Sequence, residues 1–104
     1  MSKNPLDDAH NLLPEELAKT IPPLYATQNE ADPTAWVKLF TPDANWTFLI
    51  TEVDPKEGLC FGLVLGHERE FGYFSLSELQ DARGPLGLKV ERDLYFSPTP
   101  VSKC

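Results

Sequence analysis

Seven consecutive residues in the middle of this chain, Leu59-Cys60-Phe61-Gly62-Leu63-Val64-Leu65, leave no polar face. Successive side chains of a strand point to opposite sides, so Leu59, Phe61, Leu63 and Leu65 share one face. Cys60, Gly62 and Val64 share the other, with Gly66 just beyond. A strand of this kind belongs in the middle of a sheet covered on both sides. Whatever this chain folds into must supply two covers for one small sheet.

The flanking segments supply the neighbouring strands. From Ala35 the pattern has a period of two, with Trp36, Lys38 and Phe40 alternating with Val37 and Leu39 up to the turn Thr41-Pro42-Asp43. A second strand spans 45–53, with Trp46, Phe48 and Ile50 on one face and Thr47, Leu49 and Thr51 on the other. Asp54-Pro55-Lys56-Glu57-Gly58 has the chemistry of a hairpin loop. The apolar strand at 59–65 is followed by a turn at Gly66-His67 and a fourth strand at 68–74. Strands joined by such short turns form an antiparallel meander.

Two short helices frame it. Pro14 suits a first helical turn, Glu15 and Glu16 suit the positive end of the dipole, and Leu13, Leu17 and Ile21 form one apolar stripe. Pro22-Pro23 stops this helix. Ser75-Leu76-Ser77-Glu78 is a capping box that opens a second helix to about Arg83, closed by Gly84-Pro85. The segment 88–96 reads as an edge strand or an extended clasp. The expectation is one α+β domain over residues 12–96: a three- to four-stranded antiparallel meander, a short N-terminal helix and a short helix after the fourth strand. Residues 1–11 read as a flexible segment and 97–104 as a tail. The second sheet face is left to the proline-rich connector, the C-terminal segment or a partner, including a second copy of the chain.

Composition excludes several functions. Sixteen acidic against nine basic residues give a net charge of −7 on 104 residues, so direct binding to nucleic acid is not expected. No apolar run reaches the length of a membrane span and no signal peptide is read at the N-terminus, which suggests a cytoplasmic protein. Cys60 in the apolar strand and Cys104 at the end of the chain make neither a disulfide framework nor a zinc motif.

Catalytic candidates are few. His67 stands beside Glu68 and Glu70 and could serve as a general base in a small hydrolase or metal-dependent enzyme. A solvated turn histidine explains the same residues more simply. His10 near Asp7 and Asp8 lacks a second histidine, and Gly84-Pro85-Leu86-Gly87 lacks the lysine and serine or threonine of a phosphate loop. No catalytic, metal or cofactor set is therefore expected. The acidity itself is more informative. Asp7, Asp8, Glu15, Glu16, Glu30 and Asp32 fall in the first 32 residues against only Lys3 and Lys19, a bias compatible with one acidic face that imitates nucleic acid.

Five strings then carry a resemblance: Leu13-Pro14-Glu15-Glu16-Leu17, Pro22-Pro23-Leu24-Tyr25-Ala26-Thr27, Phe40-Thr41-Pro42-Asp43-Ala44-Asn45-Trp46-Thr47, Phe71-Gly72-Tyr73-Phe74-Ser75-Leu76-Ser77-Glu78-Leu79 and Val90-Glu91-Arg92-Asp93-Leu94-Tyr95-Phe96. In this order, from about Leu12 to Thr99, the chain resembles an uncharacterised family of small bacterial proteins, a domain of unknown function. Ala44, where members often carry serine, and Phe48-Leu49 depart from its pattern. The resemblance implies carriage by plasmids, integrative elements and phages, and no catalytic set. Tyr25, Trp46, Tyr73 and Tyr95 fall near element ends, where aromatic rings can anchor a protein partner or pack as hinge residues of the core. The functional expectation is a non-catalytic accessory protein of a mobile element. It binds a host protein, a nucleic-acid-handling defence complex of the CRISPR or restriction type, through an acidic surface and these aromatics.

Overall fold

A computed structural model describes residues 9–104. Helix α1 (Glu15–Ala18) is followed by strands β1 (Thr34–Ala35), β2 (Val37–Phe40), β3 (Thr47–Asp54), β4 (Leu59–Leu65) and β5 (Arg69–Ser75). Helix α2 (Leu76–Asp81), strands β6 (Glu91–Arg92) and β7 (Thr99–Pro100) and a 3-10 turn at Val101–Lys103 complete it. The α+β class holds, but a meander of three to four strands is an undercount. The main sheet has five antiparallel strands in the order β5-β4-β3-β2-β6, and β1 pairs with β7 in a separate two-stranded ribbon.

The added strands are the short ones. At Glu91–Arg92 the segment after α2 pairs with Leu39 and Phe40, and Asp93 N–H donates to Lys38 O at 2.9 Å. Residues 97–104, expected as a tail, fold back: Thr99 and Pro100 pair with Ala35 and Thr34, and Val101 is buried. Asp32 ties this return down, accepting from the Ser102 N–H at 2.9 Å and its hydroxyl at 2.6 Å. Two-residue strands carry no readable alternation, and their pairing depends on contacts between residues 51 to 66 apart in the chain.

The first helix is shorter than its apolar stripe. Beyond Lys19 the bonds tighten to i→i−3, from Thr20 N–H to Leu17 O and from Ile21 N–H to Ala18 O. Pro22 bars the helical conformation at Ile21, so the turn closes there. Leu13 and Leu17 still pack against the core and Ile21 is buried in it. At α2 one half of the expected capping box forms, with Ser75 Oγ accepting from Glu78 N–H at 3.4 Å, and the helix ends at Asp81, short of Arg83.

Strand β3, not β4, is the centre of the sheet. Its run from Leu49 to Val53 is buried on both sides. One face meets Leu12, Ile21, Leu79 and Val90 and is closed by the helices. The other receives Ala35, Val101 and Phe96 over Leu49 and Leu63. The alternation within β3 breaks once. Ile50 pairs with Gly62 and Glu52 with Phe61, leaving Thr51 as a β-bulge whose hydroxyl bonds Phe61 O at 3.1 Å. The bulge reverses parity, so Val53 joins Ile50 in the helical-side core and Glu52 turns to the opposite face. Gly62 permits it: a Cβ there would lie 1.8 Å from Leu49 O.

Candidate functional site

Glu52 is a charged residue in the central strand with 2% of its surface exposed. A buried carboxylate needs donors. Here the connector between α1 and β1 supplies them. Tyr25 N–H donates to Oε1 at 2.7 Å, Thr27 N–H donates to Oε2 at 2.8 Å, and the Thr27 hydroxyl donates to the same Oε2. No lysine, arginine or histidine pairs with Glu52 among the described residues. With the N–H groups of residues 25 and 27 aimed at one carboxylate, Tyr25 takes the left-handed region, with φ at 72°, a conformation that is costly without glycine. The connector is thus a curved wall bound to the middle of the sheet.

Between that wall and strands β4 and β5 runs a groove of about 440 Å³, lined chiefly by Tyr25, Glu30, Glu52, Phe61, Phe71 and Tyr73. Its floor is aromatic because the register makes it so. Phe61 lies opposite Tyr73 and two register positions from Phe71, on the same face, with ring centroids 4.9 Å and 6.0 Å away. Tyr25, Phe71 and Tyr73 remain 61%, 47% and 52% exposed. The Tyr73 phenol is held above the ordinary tyrosine range, chiefly by hydrogen bonding to the Tyr25 side chain, then by desolvation and the neighbouring negative charge. Glu30 stands in the groove lining, and its carboxylate makes no hydrogen bond or ion pair among the described residues.

The family described as "Protein of unknown function (DUF2958)" matches residues 12–103. The chain belongs to this family. No curated protein and no solved structure matches it. The DUF2958 match runs from the buried Leu12 through the folded-back C-terminal segment, so groove, sheet and clasp all lie inside the family unit.

Of the residues expected to bind a partner, Tyr25, Tyr73 and Glu30 meet in this groove. Trp46 and Tyr95 line another, of about 610 Å³, beside Lys38 and Asp93, whose charges already pair at 3.9 Å. Tyr95 is 96% exposed there, whereas Trp46 is stacked on Phe48 and meets His67 edge-on at 5.5 Å. Glu15 and Glu16 are exposed on α1. Glu15 lies beside Pro55 and Leu76, on the helical side of the sheet. Asp32 is engaged by Ser102, whose hydroxyl and N–H bonds lower its pKa. Asp7 and Asp8 lie outside the described residues. His67 makes its ring contact with Trp46, and no hydrogen bond or ion pair joins it to Glu68 or Glu70.

Glu52, Phe61 and Phe71 are the groove residues that the sequence reading missed. Plain alternation would put Glu52 on the face of Trp46, Phe48 and Ile50, and only the bulge turns it to the groove side. A signal did exist: Tyr73, Phe71 and Phe61 occupy one face of adjacent strands once the β4–β5 turn is placed. Gly84 has an equally specific task. The loop 84–87 closes on Asp43, whose Oδ2 accepts from Leu86 N–H at 2.7 Å, and a Cβ on Gly84 would lie 1.7 Å from Asp43 Oδ1.

Proposed function

We propose that this chain is a non-catalytic binding module that attaches to another protein through the face of Tyr25, Phe71 and Tyr73. The observation that carries the reading is the uncovered aromatic floor. The C-terminal segment covers the Leu49–Leu63 part of this sheet face and stops short of Phe71 and Tyr73. Exposed aromatics gathered at one rigid place are the composition of interface hot spots.

The net charge of −7 favours an electropositive partner, and proteins that handle nucleic acid carry such surfaces. Combined with the setting that the family resemblance implies, the partner we propose is a host defence protein of the CRISPR or restriction type. It would be met in the cytoplasm, and its nucleic-acid surface is what the module obstructs. No helix among the described residues is long and apolar enough to cross a membrane.

The test is retention from a bacterial host lysate on immobilised protein at low and high salt, with a Phe71→Ser/Tyr73→Ser variant alongside. The expected result is a nucleic-acid-handling protein retained at low salt, displaced by duplex DNA and lost on the variant. If none is retained at low salt, or the variant retains it equally, the reading fails.

A further inference from the structure

The groove between the connector and β4–β5 has the chemistry of a cation receptor. Its floor is lined by Phe61, Phe71 and Tyr73, and the quadrupole of an aromatic ring attracts positive charge to its face. Beneath them sits Glu52, a buried carboxylate held by three donors, none of them a cation. Burial makes an uncompensated negative charge felt strongly at short range, because little water screens it. Tyr73 already registers it, since the charge on Glu52 raises the phenol's pKa, though less than Tyr25 does. In the lining, Glu30 offers a carboxylate with no partner of its own among the described residues. Two phenolic oxygens, of Tyr25 and Tyr73, add acceptors between ring faces and carboxylates.

We propose that this groove takes one arginine side chain of the partner protein, its guanidinium flat against Phe71 and its N–H groups turned to Glu30 and the hydroxyls of Tyr25 and Tyr73. The inference rests on the binding reading above and names what enters the groove. Arginine fits better than lysine on three counts. It is planar and stacks on aromatic faces, it is more weakly hydrated, and its five donors suit several acceptors spread around one opening. A surface built to hold phosphates is rich in such side chains, so the groove would engage the residues that the partner uses for nucleic acid.

The probe is a capped Gly-Arg-Gly peptide titrated at low ionic strength into the full ¹⁵N-labelled chain, with the citrulline peptide as a neutral isostere and the lysine peptide as a second cation. The expected result is saturable shifts of the Tyr25, Thr27, Glu52, Phe71 and Tyr73 amides. Arginine should bind about tenfold tighter than citrulline, a ratio within the range of a desolvated cation–π contact. Glu30→Gln and Phe71→Leu change exposed side chains, and each should weaken arginine binding several-fold while leaving the rest of the amide spectrum in place. The proposal is overturned if citrulline binds as well as arginine, if the shifts map to the Trp46–Tyr95 groove, or if no saturable shift occurs. A host protein retained in the lysate experiment without an arginine response overturns this inference and leaves the binding function standing. An arginine response with no retained protein supports the receptor and overturns the proposed partner class.

Discussion

Glu52 and its three donors join a charged side chain in the sheet to an irregular connector 25 residues earlier in the chain. Glu52→Ala leaves two backbone N–H groups and a hydroxyl without their acceptor, and should lower the unfolding free energy by about 2–4 kcal/mol. Urea unfolding followed by tryptophan fluorescence measures this, and a loss within the error of the measurement would show that the connector does not depend on the carboxylate. Cys60 and Cys104 make a second contrast. Burial pushes the Cys60 thiol up to about 12, and Cys104 is exposed with its thiol donating to Pro100 O at 3.5 Å. A thiol reagent at pH 8 should label Cys104 first, and Cys60 only through opening of the core. Equal labelling rates in the native protein would contradict the burial of β4.

Strand β3 shows what a sequence conveys about an element and what it withholds. Its hairpin to β4 was legible because the loop chemistry is local: Asp54 Oδ1 accepts from the Lys56 and Glu57 N–H groups, and Gly58 takes φ 67°. The bulge at Thr51, three residues before Asp54, was not, since nothing in Ile50-Thr51-Glu52 distinguishes a skipped residue from regular alternation. Two glycines that look alike in the sequence separate sharply in the structure. Gly62 and Gly72 are cross-strand partners, yet a Cβ on Gly62 would collide with Leu49 O while one on Gly72 meets nothing within 4 Å. Gly62→Ala should therefore cost more than about 3 kcal/mol or prevent folding, and Gly72→Ala should change stability by less than about 1 kcal/mol in either direction. Thermal unfolding of the pair decides it, and similar midpoints for the two variants would refute the bulge. The aromatic candidates divide in the same way: Tyr25 lies in the middle of the connector and Tyr73 within β5 and not at element ends, and which two share a groove depends on strand order.

At the scale of the molecule, the helical-side core follows from sequence pattern and the opposite face does not. That face is closed by segments far apart in the chain, with Asp32 reaching Ser102 and Arg69 donating to Val101 O at 3.2 Å. Because these bonds hold the folded-state pKa of Asp32 below its ordinary 3.8, its contribution is present above that value and is lost as pH falls through the folded one. Ser102→Ala should raise the Asp32 midpoint, read from its carboxyl ¹³C shift. A midpoint that does not move would mean that Ser102 does not hold this carboxylate in solution. Removing residues 98–104 should uncover Leu49 and Leu63 and lower stability by about 2–4 kcal/mol, visible as an earlier urea midpoint.

The left-handed Tyr25 carries a further consequence. Its turn is pinned to the central strand by the Glu52 bonds, so its shape does not depend on a ligand. An incoming side chain would therefore be spared the ordering entropy that a mobile loop charges its ligand, and even a small contact area at this groove can hold a partner.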